Sequence, residues 1–180
     1  MKLSIVIPTL NEARYLPGAV EAVRRHALLP GPHEVIVADC GSADGTADMA
    51  SRLGVHVVCD GPVPDSRAAA LNRGAEQASG DVLLFLDADT RVPPGYDRSI
   101  RGALRDAQVV GGAFEFVLDG PEVGLRLVEA INRVRSRIWP RYYGDQGVFA
   151  RVGAFRRVRG YSRRRILEAS DFCRALGLSL

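Results

Sequence analysis

The stretch that most restricts the fold of this chain is residues 81–90, DVLLFLDADT. Five of the six residues 82–87 are apolar, and the run ends abruptly at two carboxylates, Asp87 and Asp89. A near-continuous apolar run of this length is what a parallel strand buried on both faces needs. In open α/β sheets, ligands bind beyond the carboxyl ends of such strands, which is where this Asp-Ala-Asp falls. Two carboxylates two residues apart can hold a hard divalent cation, and the cation can hold a diphosphate. The rest of the chain is therefore expected to be arranged around this strand end.

Shorter apolar runs before it repeat the pattern. Residues 3–7 (LSIVI) read as a first strand stopped by Pro8, residues 34–38 (EVIVA) as a second ending in Asp39, and residues 55–58 as a third. Thr9, Asn11 and Glu12 fall on the loop after the first strand. Asn11 is placed to cap a helix running to about His26, in which Pro17 is tolerated only near the first turn. Ser42 or Asp44 can cap a second helix that Gly54 closes as a C′ glycine. Residues 66–78 (SRAAALNRGAEQA) form a third, small-residue helix. Strands alternating with helices of this length predict βαβ units, hence a Rossmann-like, mostly parallel sheet flanked by helices. The first strand is not followed by GxGxxG or a P-loop, which argues against a dinucleotide dehydrogenase.

In the second half a helix is expected to about Ala107, then a strand over 108–118 whose Gly111 and Gly112 suggest a bulge or a close backbone approach. Residues 123–139 read as an amphipathic helix with Leu127, Ile131, Val134 and Ile138 on one face. A short strand over 147–150 and a last helix over 166–176 complete the pattern. Repeats and low-complexity linkers are absent from the sequence. A single domain over 1–180 is expected, with a ligand-binding half over 1–90 and a second half over 91–180.

Composition narrows the setting. With 180 residues, 47% hydrophobic and 25% charged, the chain is of ordinary globular type, and no stretch reaches the roughly 18 apolar residues of a membrane span. The opening MKLSIVIPTLNE is too short an apolar run for a secretory signal, so a cytoplasmic location is expected. Cys40, Cys59 and Cys173 lack metal-type spacing and are expected as reduced thiols. The net charge of +3 conceals an asymmetry: residues 122–165 carry 12 Arg against Glu122, Glu129 and Asp145. Such a block can be a solvated arginine-rich face, or can meet phosphates or an anionic membrane surface. Nucleic acid is the weaker partner, because few aromatics are interleaved with the arginines.

Acid after acid at successive strand ends is hard to explain by packing, because a buried unpaired carboxylate is costly. It is explained if that edge binds a sugar-bearing nucleotide with a cation. SIVIPTLNE at 4–12, VIVADCGSADGT at 35–46, AAALNRGAEQASGDVLLFLDADT at 68–90 and GDQGVFAR at 144–151 together resemble the family-2 glycosyltransferases of GT-A fold. With GGAFEF at 111–116, the last segment resembles a bacterial subgroup associated with radical-SAM or selenium-domain proteins. The resemblance implies transfer of a sugar, with inversion, from a nucleotide diphosphate sugar, UDP- rather than GDP-linked, to a hydroxyl acceptor. It implies that Pro8, Thr9, Asn11, Glu12 and Asp39 hold base and ribose. Arg67, Asn72, Asp87 and Ala88 complete the donor side. Asp89, with Asp87, is implied as the ligand of Mg²⁺ or Mn²⁺, and Asp145 and Gln146 lie toward the acceptor. From the residues alone, Asn11 can also be only a helix cap and Asp39 a turn former, and Arg67 reads first as a surface residue.

The sequence departs from the family pattern at one position. Related chains carry a Glu-Asp pair near the last helix, with the Asp as base; here ILEASDFCRALG at 166–177 has Glu168 followed by Ala169. Glu168, or Asp171 one turn later, is left as the base. Without either, the domain is a silent nucleotide-sugar-binding module. The basic half is expected to face a lipid-linked acceptor or the inner surface of a membrane. A nucleotidyltransferase is less well matched, because PTLNEA offers no glycine-rich phosphate loop.

Overall fold

The apolar runs of the first half assemble side by side. The computed structural model describes residues 1–58, 66–114, 146–162 and 168–178. In it β1 (Leu3–Thr9), β2 (His33–Asp39), β3 (His56–Val58) and β4 (Val82–Phe85) lie parallel. Two further strands, β5 (Gly111–Ala113) and β6 (Val148–Arg151), join antiparallel, giving the order β3-β2-β1-β4-β6-β5. The crossover helices are α1 (Leu16–His26), α2 (Thr46–Arg52) and α3 (Arg67–Glu76). After β4 come α4 (Tyr96–Ala103), α5 (Val152–Arg157) and α6 (Glu168–Ala175). The mostly parallel α/β architecture read from the sequence is the one observed.

β1 and β4 are buried at every position because their alternate side chains feed two cores. Leu3, Ile5, Ile7, Leu84 and Leu86 pack with Leu16, Val20 and Val23 of α1 and with Tyr96 and Ile100 of α4. Val6, Leu83 and Phe85 point the other way, to Leu71 of α3 and Phe155, Phe172 and Cys173 of α5 and α6. The small residues of α3 let it lie close to the sheet. A Cβ on Gly74 would collide with Cγ1 of Val6. Gly111 and Gly112 do the same for β5, since side chains there would run into Phe149 of β6.

Some local expectations are corrected. Asn11 does not cap α1, which starts five residues later at Leu16 with Pro17 in its first turn. Asn11 takes a left-handed φ of 59°, and the Glu12 carbonyl accepts the N–H groups of Tyr15 and Leu16 instead. α2 starts after Gly45, with Asp44 accepting from the Thr46 N–H at 3.0 Å, and Gly54 ends it at φ 64°. α4 stops at Ala103, short of Ala107, because Asp106 receives the Gln108 N–H and draws the chain into a turn. The expected helix over 123–139, the end of the strand over 108–118, and Cys59 lie outside the described residues.

Candidate active site

The carboxyl ends of β1, β2 and β4 and the start of α3 enclose a pocket of about 370 Å³. Pro8, Thr9, Leu10 and Glu12 form one wall, Cys40 closes it behind β2, and Ser66 and Arg67 enter from α3. Asp87, Ala88 and Asp89 form the floor beyond β4. The parallel alignment of β1 with β4, which sets Val6 opposite Phe85, brings the PTLNE loop and the DAD segment to one edge.

This pocket is negatively charged. The pKa of Glu12 is raised, first by burial and then by repulsion from Asp89, Asp87 and Asp44. Asp89 is exposed, and its nearest described partner is the hydroxyl of Thr90 at 3.4 Å. Asp87 is not free in the same way: Nε and Nη2 of Arg67 both donate to its Oδ1, at 3.0 and 2.5 Å. Burial opposes the charge on Arg67, but Asp87 and Glu168 outweigh it and its pKa is raised. Among the described residues no three His, Cys, Asp or Glu are placed to hold a metal by themselves. An all-oxygen set of one or two carboxylates fits Mg²⁺ or Mn²⁺ completed by phosphate oxygens.

The Asp39 carboxylate is engaged by its own loop. Its Oδ1 accepts from the hydroxyls of Thr9 at 2.8 Å and Ser42 at 2.6 Å, and its Oδ2 from the N–H groups of Gly41 and Ser42. Asp39 is 3% exposed and lies behind Thr9 and Cys40. Asn11 belongs to the same support: its carbonyl oxygen accepts from the Ala43 N–H and its own N–H donates to Ser42. Both residues shape the loops that carry the pocket.

The last helix delivers Glu168 to this edge. Ala169, Phe172, Cys173 and Leu176 are buried at helical spacing, so this face of α6 packs on the sheet. Phe172 stacks on Tyr161 at 4.3 Å and meets Phe85 edge-on at 5.9 Å, which locks the helix against the strand that ends in Asp87. Glu168, on the flank, accepts from Nη1 of Arg67 at 2.7 Å. Asp171 faces Arg174, at 3.6 Å.

Other predicted residues fall elsewhere. Asn72 is not brought to the pocket: its amide donates to the Tyr161 carbonyl and accepts from the Tyr161 N–H, both at 2.9 Å, pinning the chain that leads toward α6. Gln146 accepts from the Phe114 N–H through its backbone, and Asp145 lies outside the described residues. Leu10, Cys40 and Ser66 line the pocket without having been singled out from the sequence. Cys40 directly follows the acid that ends β2, and that position was the available signal. Its thiol pKa is raised by burial and by Asp39, so it stays neutral at ordinary pH.

Comparison with known proteins bears on the family and the fold. A family-wide profile described as "Glycosyl transferase family 2" matches residues 4–162. A "PGL/p-HBAD biosynthesis glycosyltransferase" of Mycobacterium bovis (strain BCG / Pasteur 1173P2) is 30% identical over 189 residues, covering 94% of this chain and 67% of the relative. An "undecaprenyl-phosphate 4-deoxy-4-formamido-L-arabinose transferase" of Yersinia enterocolitica is 29% identical, covering 96% of this chain and 52% of the relative. Among solved structures, the mannosyltransferase PcManGT from Pyrobaculum calidifontis, in complex with GDP-Man and Mn²⁺, superposes with a TM-score of 0.77 at 20% identity. That match covers 97% of this chain and 51% of the other, so this chain spans about half of that structure and two thirds of the mycobacterial relative.

Proposed function

This chain belongs to glycosyl transferase family 2 and has the GT-A fold, and from that premise we propose that it transfers a sugar from a nucleotide diphosphate sugar to an acceptor hydroxyl. The observation that carries the reading is the convergence of Glu12, Asp87 and Asp89 on one pocket at the carboxyl edge of a parallel sheet. Such a pocket repels a bare diphosphate and accepts one that arrives with a cation. Asp89, with Asp87, would hold Mg²⁺ or Mn²⁺. When bound, the cation neutralises charge on the departing diphosphate. Pro8, Thr9 and Leu10 offer a partly apolar wall for the nucleoside, and Thr9 is fixed by Asp39.

Glu168 is the proposed base. It is the carboxylate of α6 tied to the strand end that carries Asp87, whereas Asp171 faces Arg174. Attack on the anomeric carbon from the face opposite the diphosphate, with Glu168 taking the hydroxyl proton, inverts that centre. The acceptor side we assign to the region of Gln146 and Asp145, and a lipid-linked acceptor is proposed because the Yersinia relative is named for undecaprenyl phosphate. Exposed Arg156, Arg157 and Arg159 beside the sheet suit an anionic lipid surface, and no described helix is long and apolar enough to cross a membrane. Burial of Ala169 supports a second reading, a module that binds nucleotide sugars without turning them over.

Thermal unfolding with UDP or GDP, each with and without Mn²⁺, tests the donor assignment. At a ligand concentration 100 times Kd the stabilisation is about 2.7 kcal/mol, a shift of several degrees. The metal-dependent part is expected to vanish in Asp89→Ala. No shift with either nucleotide plus Mn²⁺ overturns the reading. Single-turnover hydrolysis or transfer of UDP-glucose or GDP-mannose separates the enzyme from the silent module.

A further inference from the structure

We propose that Arg67 is a positioning residue that couples the donor end of the site to its base, holding Glu168 through the same guanidinium that fixes Asp87. The inference rests on the reading of Glu168 as base. Nε and Nη2 of Arg67 converge on Oδ1 of Asp87, and Nη1 donates to Oε1 of Glu168 at 2.7 Å. The guanidinium is planar and rigid, so the two carboxylates take their directions from one plane. Moving one requires turning the group that holds the other.

The surroundings keep that plane in place. Arg67 is the first residue of α3, directly after Ser66, whose hydroxyl accepts from the Ala69 N–H and caps the helix. α3 itself is seated on β1 by Gly74. On the opposite side, Phe172 anchors α6 in the aromatic cluster with Phe85 and Tyr161. The bridge thus spans two fixed helices and one strand end. Three of the N–H groups of Arg67 are directed at carboxylates, so it is organised first for Asp87 and Glu168. Glu168 has a flexible side chain on the flank of a helix, and the charge-assisted bond from Arg67 aims it. Asp89, exposed, takes no part in the bridge.

A double-mutant cycle tests this, using Arg67→Lys, Glu168→Gln and the double variant. Lysine keeps the charge but is a single point and cannot serve both carboxylates in a fixed geometry. Whichever of UDP-glucose or GDP-mannose the wild type hydrolyses serves as substrate. Misplacing a catalytic group by about 1 Å can cost about 100-fold, so Arg67→Lys is expected to lower kcat by at least about 10-fold with a far smaller change in donor KM. In the Glu168→Gln background the same change should have little further effect on kcat. Equal losses in both backgrounds, or a loss confined to KM, overturn the proposal.

A second readout is free of activity. In the metal-free protein, urea unfolding of the four proteins is expected to show coupling of at least about 3-fold in the unfolding constant, because residues in direct contact are non-additive. Strict additivity refutes the bridge even if a variant proves unstable. A wild type that binds UDP or GDP with Mn²⁺ but never turns donor over would remove the base assignment, and this inference with it. Wild-type turnover with additive losses would remove the inference alone.

Discussion

Position 169 decides which carboxylate the last helix can present. Ala169 is 3% exposed and shares a buried stripe with Phe172, Cys173 and Leu176, so a side chain at 169 points into the core. An aspartate there would be buried without a described partner. Ala169→Asp is therefore expected to destabilise the fold by about 3 kcal/mol, read from urea midpoints, and to leave donor turnover no higher than wild type. A variant of unchanged stability with raised turnover would transfer the base role away from Glu168. The same burial raises the Cys173 thiol to about 12, so it is inert as a nucleophile. Asp87 shows how far a residue's role depends on its neighbours: the sequence marks it as half of a metal motif, and the fold makes it also the counter-charge of Arg67.

At the scale of elements, α3 is the piece on which the site is mounted. Its Gly74 leaves room for Val6, a β-branched residue with little freedom to move aside. Gly74→Ala gains helix propensity, yet is expected to lose about 1–3 kcal/mol from overpacking, checked by thermal or urea unfolding. A neutral or stabilising effect would show that α3 can lift from the sheet. Much of this level was legible in the chain, for local reasons. The apolar runs around Ile5, Val37 and Leu84 announce strands buried on both faces, and Pro17 and Gly54 punctuate helices where expected. The antiparallel entry of β6 between β4 and β5 was not legible, because strand order depends on pairings between distant segments. For the same reason the contacts of Arg67 with Glu168 and of Asn72 with Tyr161, 101 and 89 residues further along the chain, were not legible. Asn11 misled in another way: it has the chemistry of a cap, and uses it on Ala43 across the loop.

At the scale of the whole molecule, the two edges of the sheet do different work. The edge opposite the pocket is tied by Glu34, which accepts from Lys2 and from the Ser79 N–H, both at 2.7 Å, and from the hydroxyl of Ser4. Burial pushes its pKa up, but the hydrogen bonds from Lys2, Ser4 and Ser79 prevail and hold it at about 2. An unfolded glutamate titrates near 4.3, so this stabilisation is fully present above about 4.3 and is lost as pH falls through about 2. Glu34→Gln should therefore be less stable than wild type at pH 5, with the gap narrowing toward pH 2 in urea titrations. A gap that stays constant with pH would rule Glu34 out as the source. The pocket edge, by contrast, is completed by an ion pair between residues 67 and 168. That span gives the order in which the molecule becomes competent as it is synthesised. Strands β1 to β4 and the floor residues Asp87, Ala88 and Asp89 are all made before the second half of the chain. The proposed base arrives only with α6, about 80 residues after the acids of the pocket floor.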